Sequence, residues 1–280
     1  MKTRAIQIIA LFAVIALAGC DQEEGARQAE RQPDPPAQPA SEPVEGKEPC
    51  NLTVGWDPWE PYHYLAAGGE LQGLDAEIIE RLADAADCEL EFLQGSWEGL
   101  LRLLKVGDVD VMMGATRTAS REEFARFSDP YRTDTFRLFV LTSQADQYQD
   151  RELGSLLEDG FRIGVTQGYY YGDETSEILD REGYNDQIVA AAVGELNITR
   201  LIDYQIDGFL EDPFVFAAFE RRRQDAGQIT ALDASFGGDP VTLMFSRASV
   251  DAETVERFNT ALTELRESGK HRELLDEYLE

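Results

Sequence analysis

The residues best suited to do chemistry run from Met113 to Tyr131, as Met-Gly-Ala-Thr-Arg-Thr-Ala-Ser-Arg and then Phe-Ser-Asp-Pro-Tyr. They follow Gly107-Asp-Val-Asp-Val-Met, a turn leading into an apolar strand. That strand ends at Gly114, continues through hydroxyl residues including Thr116, and reaches Arg121 five residues later. Free backbone N–H groups and a hydroxyl are neutral donors, and a guanidinium is a two-pronged charged one, so this layout suits a small carboxylate. The plainer alternative is a loop carrying a surface arginine.

Three other stretches carry aromatic or acidic groups at strand ends. Asp57-Pro-Trp-Glu-Pro-Tyr-His-Tyr is a proline-broken aromatic loop holding Trp59 and Tyr62. Gly168-Tyr169-Tyr170-Tyr171-Gly172 precedes a polar helix, and Glu211-Asp212-Pro213 closes a short apolar run. Trp97 opens a helix near the first of these. Each aromatic here suits packing or binding equally well. His63 reads as a packing or surface residue, and a lone histidine is no metal site.

The elements that must position these groups alternate. Strands are expected at Leu52–Trp56, Glu89–Leu93, Val109–Met113 and Phe136–Leu141, with helices over Ala76–Asp87 and Trp97–Lys105. A second unit starts near Gly154. It has strands at Arg162–Val165, Gln187–Ala191 and Asp207–Leu210, and helices over Glu174–Arg181, Ile198–Tyr204 and from Pro213 to Arg223. A strand at Val241–Ser246 and helices over Val255–Ser268 and Arg272–Leu279 close the chain. Strand–helix alternation points to parallel α/β sheets, whose ligands gather at the carboxyl ends of strands. Every candidate group above lies at such an end.

The ends and the charge narrow the setting. Lys2 and Arg4 precede an apolar run from Ala5 to Leu17, followed by Ala18-Gly19-Cys20. This is a signal peptide over residues 1–19, with Cys20 as the expected lipidated first residue of the mature chain; an ordinary signal peptide with a chance cysteine is the alternative. Asp21 next to it resembles an inner-membrane retention signal. Residues 20–49 hold all six prolines between Asp21 and Pro49 and few large apolar side chains, so they read as a disordered tether. Export into an oxidising compartment favours a disulfide between Cys50 and Cys88 over two free thiols, since each starts a strand of one βαβ unit. The full chain carries a net charge of −29, with 54 acidic against 25 basic residues. Such a surface excludes nucleic acid as a partner and repels anionic lipid. It also fits a saline habitat, where counterions screen the self-repulsion.

Taken in order, several of these motifs resemble the extracellular solute-binding proteins of family 3, the type II periplasmic binding proteins of polar amino-acid ABC importers. The resemblance rests on Gly73-Leu-Asp75, Leu100…Leu104…Gly107…Asp110, Gly114-x-Thr116…Arg121, Phe127-Ser-Asp-Pro-Tyr131, Gly164-Val165…Gly168, Asp207…Asp212 and the closing Phe258-Asn-x-Ala-Leu. It implies a two-lobed α/β fold, each lobe a mainly parallel sheet flanked by helices, joined by a two-strand hinge. Residues 50–142 and 238–280 would form one lobe and 143–237 the other, with crossings near Leu141–Ser143 and Ser235–Asp239. It implies that Arg121 grips a ligand α-carboxylate beside Thr116, that the Gly114 carbonyl and Asp212 take the α-ammonium, and that Trp59, Tyr62 and Trp97 sandwich the ligand. Left to themselves, Thr116 also suits a turn cap and Asp212 a helix start. The family usually follows Gly168 with Thr or Ser; here Tyr169 and Tyr170 stand in the binding loop instead, keeping backbone donors but losing small hydroxyls. Asp57, Glu60 and Glu98 would favour a cationic ligand side chain.

The expected function is ligand capture by hinge closure for an inner-membrane ABC permease, with no cofactor, no metal and no catalysis. One alternative is an enzyme resembling cyclohexadienyl dehydratases, with Glu98 or Glu211 as general acid. Another is a ligand-sensing adaptor, which the lack of any attached kinase or transglycosylase region disfavours.

Overall fold

A computed structural model describes residues 50–279. The expected signal peptide, Cys20 and the tether lie outside these described residues.

The first unit alternates as its sequence requires. Strand β1 (Cys50–Trp56) leads to a small hairpin, β2 (Tyr64–Leu65) and β3 (Leu71–Gln72), and then to helix α1 (Leu74–Ala85). Leu74, Ile78, Ile79 and Leu82 recur on one face of α1 and are fully buried. Strand β4 (Cys88–Gln94) and helix α2 (Trp97–Val106) follow. Ser96 caps α2 by accepting the Gly99 N–H, and Gly107 ends it in the left-handed region. Strand β5 (Val111–Thr116), the single turn α3 (Ala119–Glu122), strand β6 (Ala125–Phe127) and the long strand β7 (Arg132–Leu141) complete the unit.

The second unit repeats the pattern. A short helix α4 (Ala145–Tyr148) and α5 (Leu153–Glu158) precede strand β8 (Ile163–Thr166), helix α6 (Asp173–Leu179) and strand β9 (Ile188–Ala191). Helix α7 (Glu195–Ile202), strand β10 (Gly208–Glu211) and helix α8 (Pro213–Arg222) follow. Strand β11 (Ile229–Ser246) then returns to the first unit, and α9 (Ala252–Glu267) and α10 (Lys270–Leu279) close the described chain.

The main strands hydrogen-bond in the order β4-β1-β5-β11-β7-β10-β8-β9, with β6 also on β11. One end, β4-β1-β5, is parallel, and so is the other, β10-β8-β9. Two long antiparallel strands, β7 and β11, join them. This is the expected two-lobed α/β arrangement, two parallel groups on a shared pair of strands. β7 meets β11 at Arg132 and Thr133, opposite Val241 and Pro240, and by Arg137–Phe139 it lies against β10 of the second group. β7 ends at Leu141, beside the segment Leu141–Ser143 where the first crossing is expected. β11 begins at Ile229 rather than Val241; Gly237, Gly238 and Pro240 interrupt its alternation, and bulges absorb them.

Each group has its own packing. α1 lies against α9, whose Phe258, Leu262 and Leu265 are buried, the Phe258 ring 5.2 Å from that of Phe245 on β11. In the other group Phe139 stacks on Phe209 and Phe216 at 5.4 and 4.2 Å between ring centroids. Cys50 and Cys88 face each other in parallel register and form a disulfide, their Cα atoms 4.5 Å apart. Among the described residues no helix is long and apolar enough to cross a membrane.

Candidate functional site

A narrow cavity holds about 340 Å³ of atom-free space, part of it open to solvent. Its walls come from the carboxyl ends of β1, β5 and β8, and from the start of β7. From the first unit these are Asp57, Trp59, His63, Trp97, Thr116 and Arg121, with Gly114 behind them. Asp134 and Phe136 of β7 supply another wall, and Tyr169 and Tyr170, after β8, the last.

Arg121 is fixed before any ligand is considered. The Thr118 hydroxyl caps α3 by accepting the Arg121 N–H at 3.3 Å. The guanidinium donates from Nη1 to the Thr116 carbonyl (2.8 Å) and from Nη2 to the Gly168 carbonyl (2.9 Å), and lies 5.4 Å from the Trp97 ring. Two bonds leave part of its five-donor fork uncommitted. Burial pulls its pKa down to about 10, against the opposing charge of Asp134, so it remains a cation at neutral pH.

The Gly168 carbonyl also accepts from Trp97 Nε1 at 3.0 Å. Gly168 sits at φ +77°, and a Cβ there would lie 3.1 Å from the Trp97 ring, so both backbone and space call for glycine. Tyr169 then reaches across: its hydroxyl donates to Asp57 Oδ2 at 2.8 Å, and its ring stands edge-on to Trp59 and Trp97 at 5.9 and 5.7 Å. Tyr170 lines the cavity with its ring and donates its hydroxyl to Asp173.

The expected residues thus divide. Trp59, Trp97, Gly114, Thr116, Arg121, Tyr169 and Tyr170 line one space, and Gly168 ties Arg121 to Trp97 beside it. Tyr62 and Asp212 stand outside that lining. Tyr62 is core, its ring 3.9 Å from the Arg132 guanidinium and its hydroxyl bonded to Asp212 Oδ2 at 3.0 Å. Asp212 caps α8, Oδ1 accepting the Phe214 and Val215 N–H groups, so both its oxygens are engaged. The Gly114 N–H donates to the Tyr131 hydroxyl at 2.9 Å. Of the acidic candidates, only Asp57 reaches the cavity. Glu98 is exposed and pairs with Arg102, and Glu60 pairs with Arg222.

Three lining residues were not legible as such. Asp134 and Phe136 share a face of β7 with Arg132, two residues apart, and a buried carboxylate on the inner face of a strand is the signal that names them. Reading the strand from Phe136 onward hid that alternation. Burial pushes the Asp134 carboxyl up to about 6, Arg132 opposing and Asp212, Asp239 and Asp75 reinforcing. Arg132 itself is locked to Asp75 by two bonds of 2.8 and 2.9 Å. The third is His63, fully buried, with Nδ1 2.5 Å from the Asp57 carbonyl. A nitrogen facing a carbonyl must carry the proton, so in the neutral ring Nε2 is an acceptor, and among the described residues it has no partner. Among the described residues no three His, Cys, Asp or Glu side chains gather as a metal site.

The arrangement offers a clamped cation, a carboxylate and an imidazole nitrogen within aromatic walls, at the junction of two strand groups. The sequence model described as bacterial extracellular solute-binding proteins, family 3, matches residues 52–280. A protein of Neisseria gonorrhoeae described as a probable histidine-binding protein is 26% identical over 219 residues, 78% of either chain. The solved structure of an ancestral arginine-binding protein bound to arginine superposes with a TM-score of 0.71 at 21% identity, covering 82% of this chain and 98% of its own, which shows the fold. A cyclohexadienyl dehydratase of Pseudomonas aeruginosa is 28% identical over 95 residues, 34% of this chain and 35% of that protein.

Proposed function

The chain belongs to the bacterial extracellular solute-binding proteins, family 3, and from that premise we propose that it captures a small zwitterion, a polar amino acid or relative, and presents it to an ABC permease. The observation that carries this is Arg121, a buried cation held by carbonyls of both strand groups in the wall of a cavity that also holds Asp134. Its uncommitted donors take the α-carboxylate in a bidentate pair. Asp134 and His63 Nε2 are the acceptors offered to the α-ammonium, while Asp212 holds Tyr62 and the start of α8 outside the cavity lining.

Closure follows from where the groups stand. The lobes part within β7, between Thr133 and Arg137, and within β11, between Ser235 and Pro240. A ligand touching both sides favours the closed state by its preference for that state alone. Residues 1–19 act as a signal peptide and Cys20 as a lipid anchor on the periplasmic side of the inner membrane, the reading that Leu17-Ala-Gly-Cys20 supports.

A binding role is also favoured over catalysis. Glu211 is 1% exposed, accepts from Trp59 Nε1 at 3.1 Å, and is outside the cavity lining, as is Glu98. Neither lines the cavity in which a general acid would meet a substrate. Turnover of prephenate or arogenate by the purified protein would overturn this.

Arg121→Ala is the direct test. Removing one member of a buried charge pair costs about 2 kcal/mol or more, at least roughly thirtyfold in affinity. Titration calorimetry against a panel of amino acids should show that loss with the circular dichroism unchanged. Unaltered affinity would remove Arg121 from the site.

A further inference from the structure

Three tyrosines follow Gly168, and only one leaves its own strand group. Tyr170 donates to Asp173, and the Tyr171 hydroxyl accepts the Thr166 N–H, so both are anchored beside β8. Tyr169 instead crosses to Asp57, between two tryptophans. Its direction is set from behind: its N–H donates to the Thr166 carbonyl, and the preceding Gly168 carbonyl is held by Trp97 Nε1 and Arg121 Nη2.

The Gly168 carbonyl meets Arg121 while the next side chain ends on Asp57, so Tyr169 spans the cavity away from the carboxylate clamp. It covers the aromatic edges and the buried carboxylate that a long ligand side chain would otherwise meet. Resting on the zwitterion reading of this site, we propose that Tyr169 is its specificity-determining residue, filling the side-chain end so that the protein takes α-amino acids with small uncharged side chains and rejects arginine and histidine. A guanidinium or imidazole must displace the phenol, breaking two edge-to-face contacts and a hydrogen bond to a carboxylate. A small side chain leaves all three in place. Asp57, 2% exposed and bonded to Tyr169, is then a component of the wall, and it becomes a pole for a cation only once the tyrosine is gone.

Calorimetry with glycine, alanine, serine, arginine and histidine tests this on the wild type, Tyr169→Ala and Tyr169→Phe. The wild type should bind at least one of the three small amino acids tenfold or more tighter than arginine. Tyr169→Ala should gain tenfold or more for arginine, and Tyr169→Phe, which keeps the ring, should still exclude it. Tyr169→Ser carries the same expectation as Tyr169→Ala and replaces it if that variant fails to fold. A wild type that binds arginine as tightly as serine, or an alanine variant with no gain, overturns the assignment of Tyr169 while leaving the site a zwitterion site. Failure of the wild type and the variants to bind any of the five overturns the zwitterion reading, and this inference with it.

Discussion

Among the described residues no cation acts on Glu211, and that decides its proton. Its Oε1 accepts from Trp59 Nε1 and from the Asp212 N–H, yet burial outweighs both bonds and pushes the carboxyl from near 4.5 up to about 8, with Asp212 and Asp57 adding repulsion. Between those two values the folded chain holds a proton that the unfolded chain has lost. Stability contributed by this residue therefore falls as pH rises from about 4.5 to about 8 and is level beyond. Glu211→Gln keeps the Oε1 acceptor and abolishes the titration. Its melting temperature should match or trail the wild type at pH 5 and exceed it by several degrees at pH 8.5, at about 2–4 °C per kcal/mol for a chain of this size. Melting curves that stay parallel from pH 5 to 9 would place the proton elsewhere. The same competition between burial and partners explains which site residues the sequence discloses. Arg121 and Trp59 enter through the family resemblance, since alone an arginine in a loop suits the surface and an aromatic suits packing as well as binding. His63 is not legible, because its role hangs on a backbone carbonyl meeting Nδ1, which nothing in the chain spells out.

At the scale of elements, the parallel groups were legible and the strands joining them only in part: Phe136–Leu141 of β7 and Val241–Ser246 of β11 were read, and the rest of each was not. The apolar faces of α1, α2 and α9 and the short runs of β1, β5, β8 and β10 follow from periodicity and stop signals that each segment carries alone. β11 depends on partners: its first half, from Ile229 to Pro240, alternates poorly, bulges twice, and is a strand because β7 lies beside it. The Cys50–Cys88 bridge lies on the legible side, since two strands started by cysteines in one βαβ unit come into register at those residues. It closes a loop between residues 38 apart in sequence, and the chain-entropy relation puts its contribution at about 4 kcal/mol. The double substitution Cys50→Ser with Cys88→Ser should lower the melting temperature by roughly 5–15 °C in scanning calorimetry. Because β4 is the outermost strand of its group, the loss should leave ligand affinity within about twofold, far from the order-of-magnitude changes expected at Arg121. No change in melting temperature would mean that the bridge adds no constraint beyond what the β1–β4 ladder supplies.

For the molecule as a whole, charge sets the conditions under which these parts stay together. With 54 acidic and 25 basic residues, most carboxylates have no cation to pair with. Among the described residues several arginines are committed: Arg132 to Asp75 in the interior, Arg162 to Asp207, Arg223 to Asp225, and Arg222 to Glu60. What is left is a surface of one sign whose repulsion unfolding relieves by moving the charges apart. A negative field also disfavours anionic ligands and is nearly indifferent to a zwitterion, in keeping with a site whose own charges, Arg121 and Asp134, oppose each other. The screening length falls from about 10 Å at 0.1 M salt to about 3 Å at 1 M. The melting temperature should therefore climb by several degrees between about 0.02 and 0.5 M sodium chloride, most steeply at the low end, and then flatten. Potassium chloride should act equally, because screening depends on ionic strength and not on the ion's identity. A salt series with no low-concentration rise would show that the acidic surface costs the fold nothing. A rise that steepens above 0.5 M would assign the effect to salting-out of apolar surface rather than to charge.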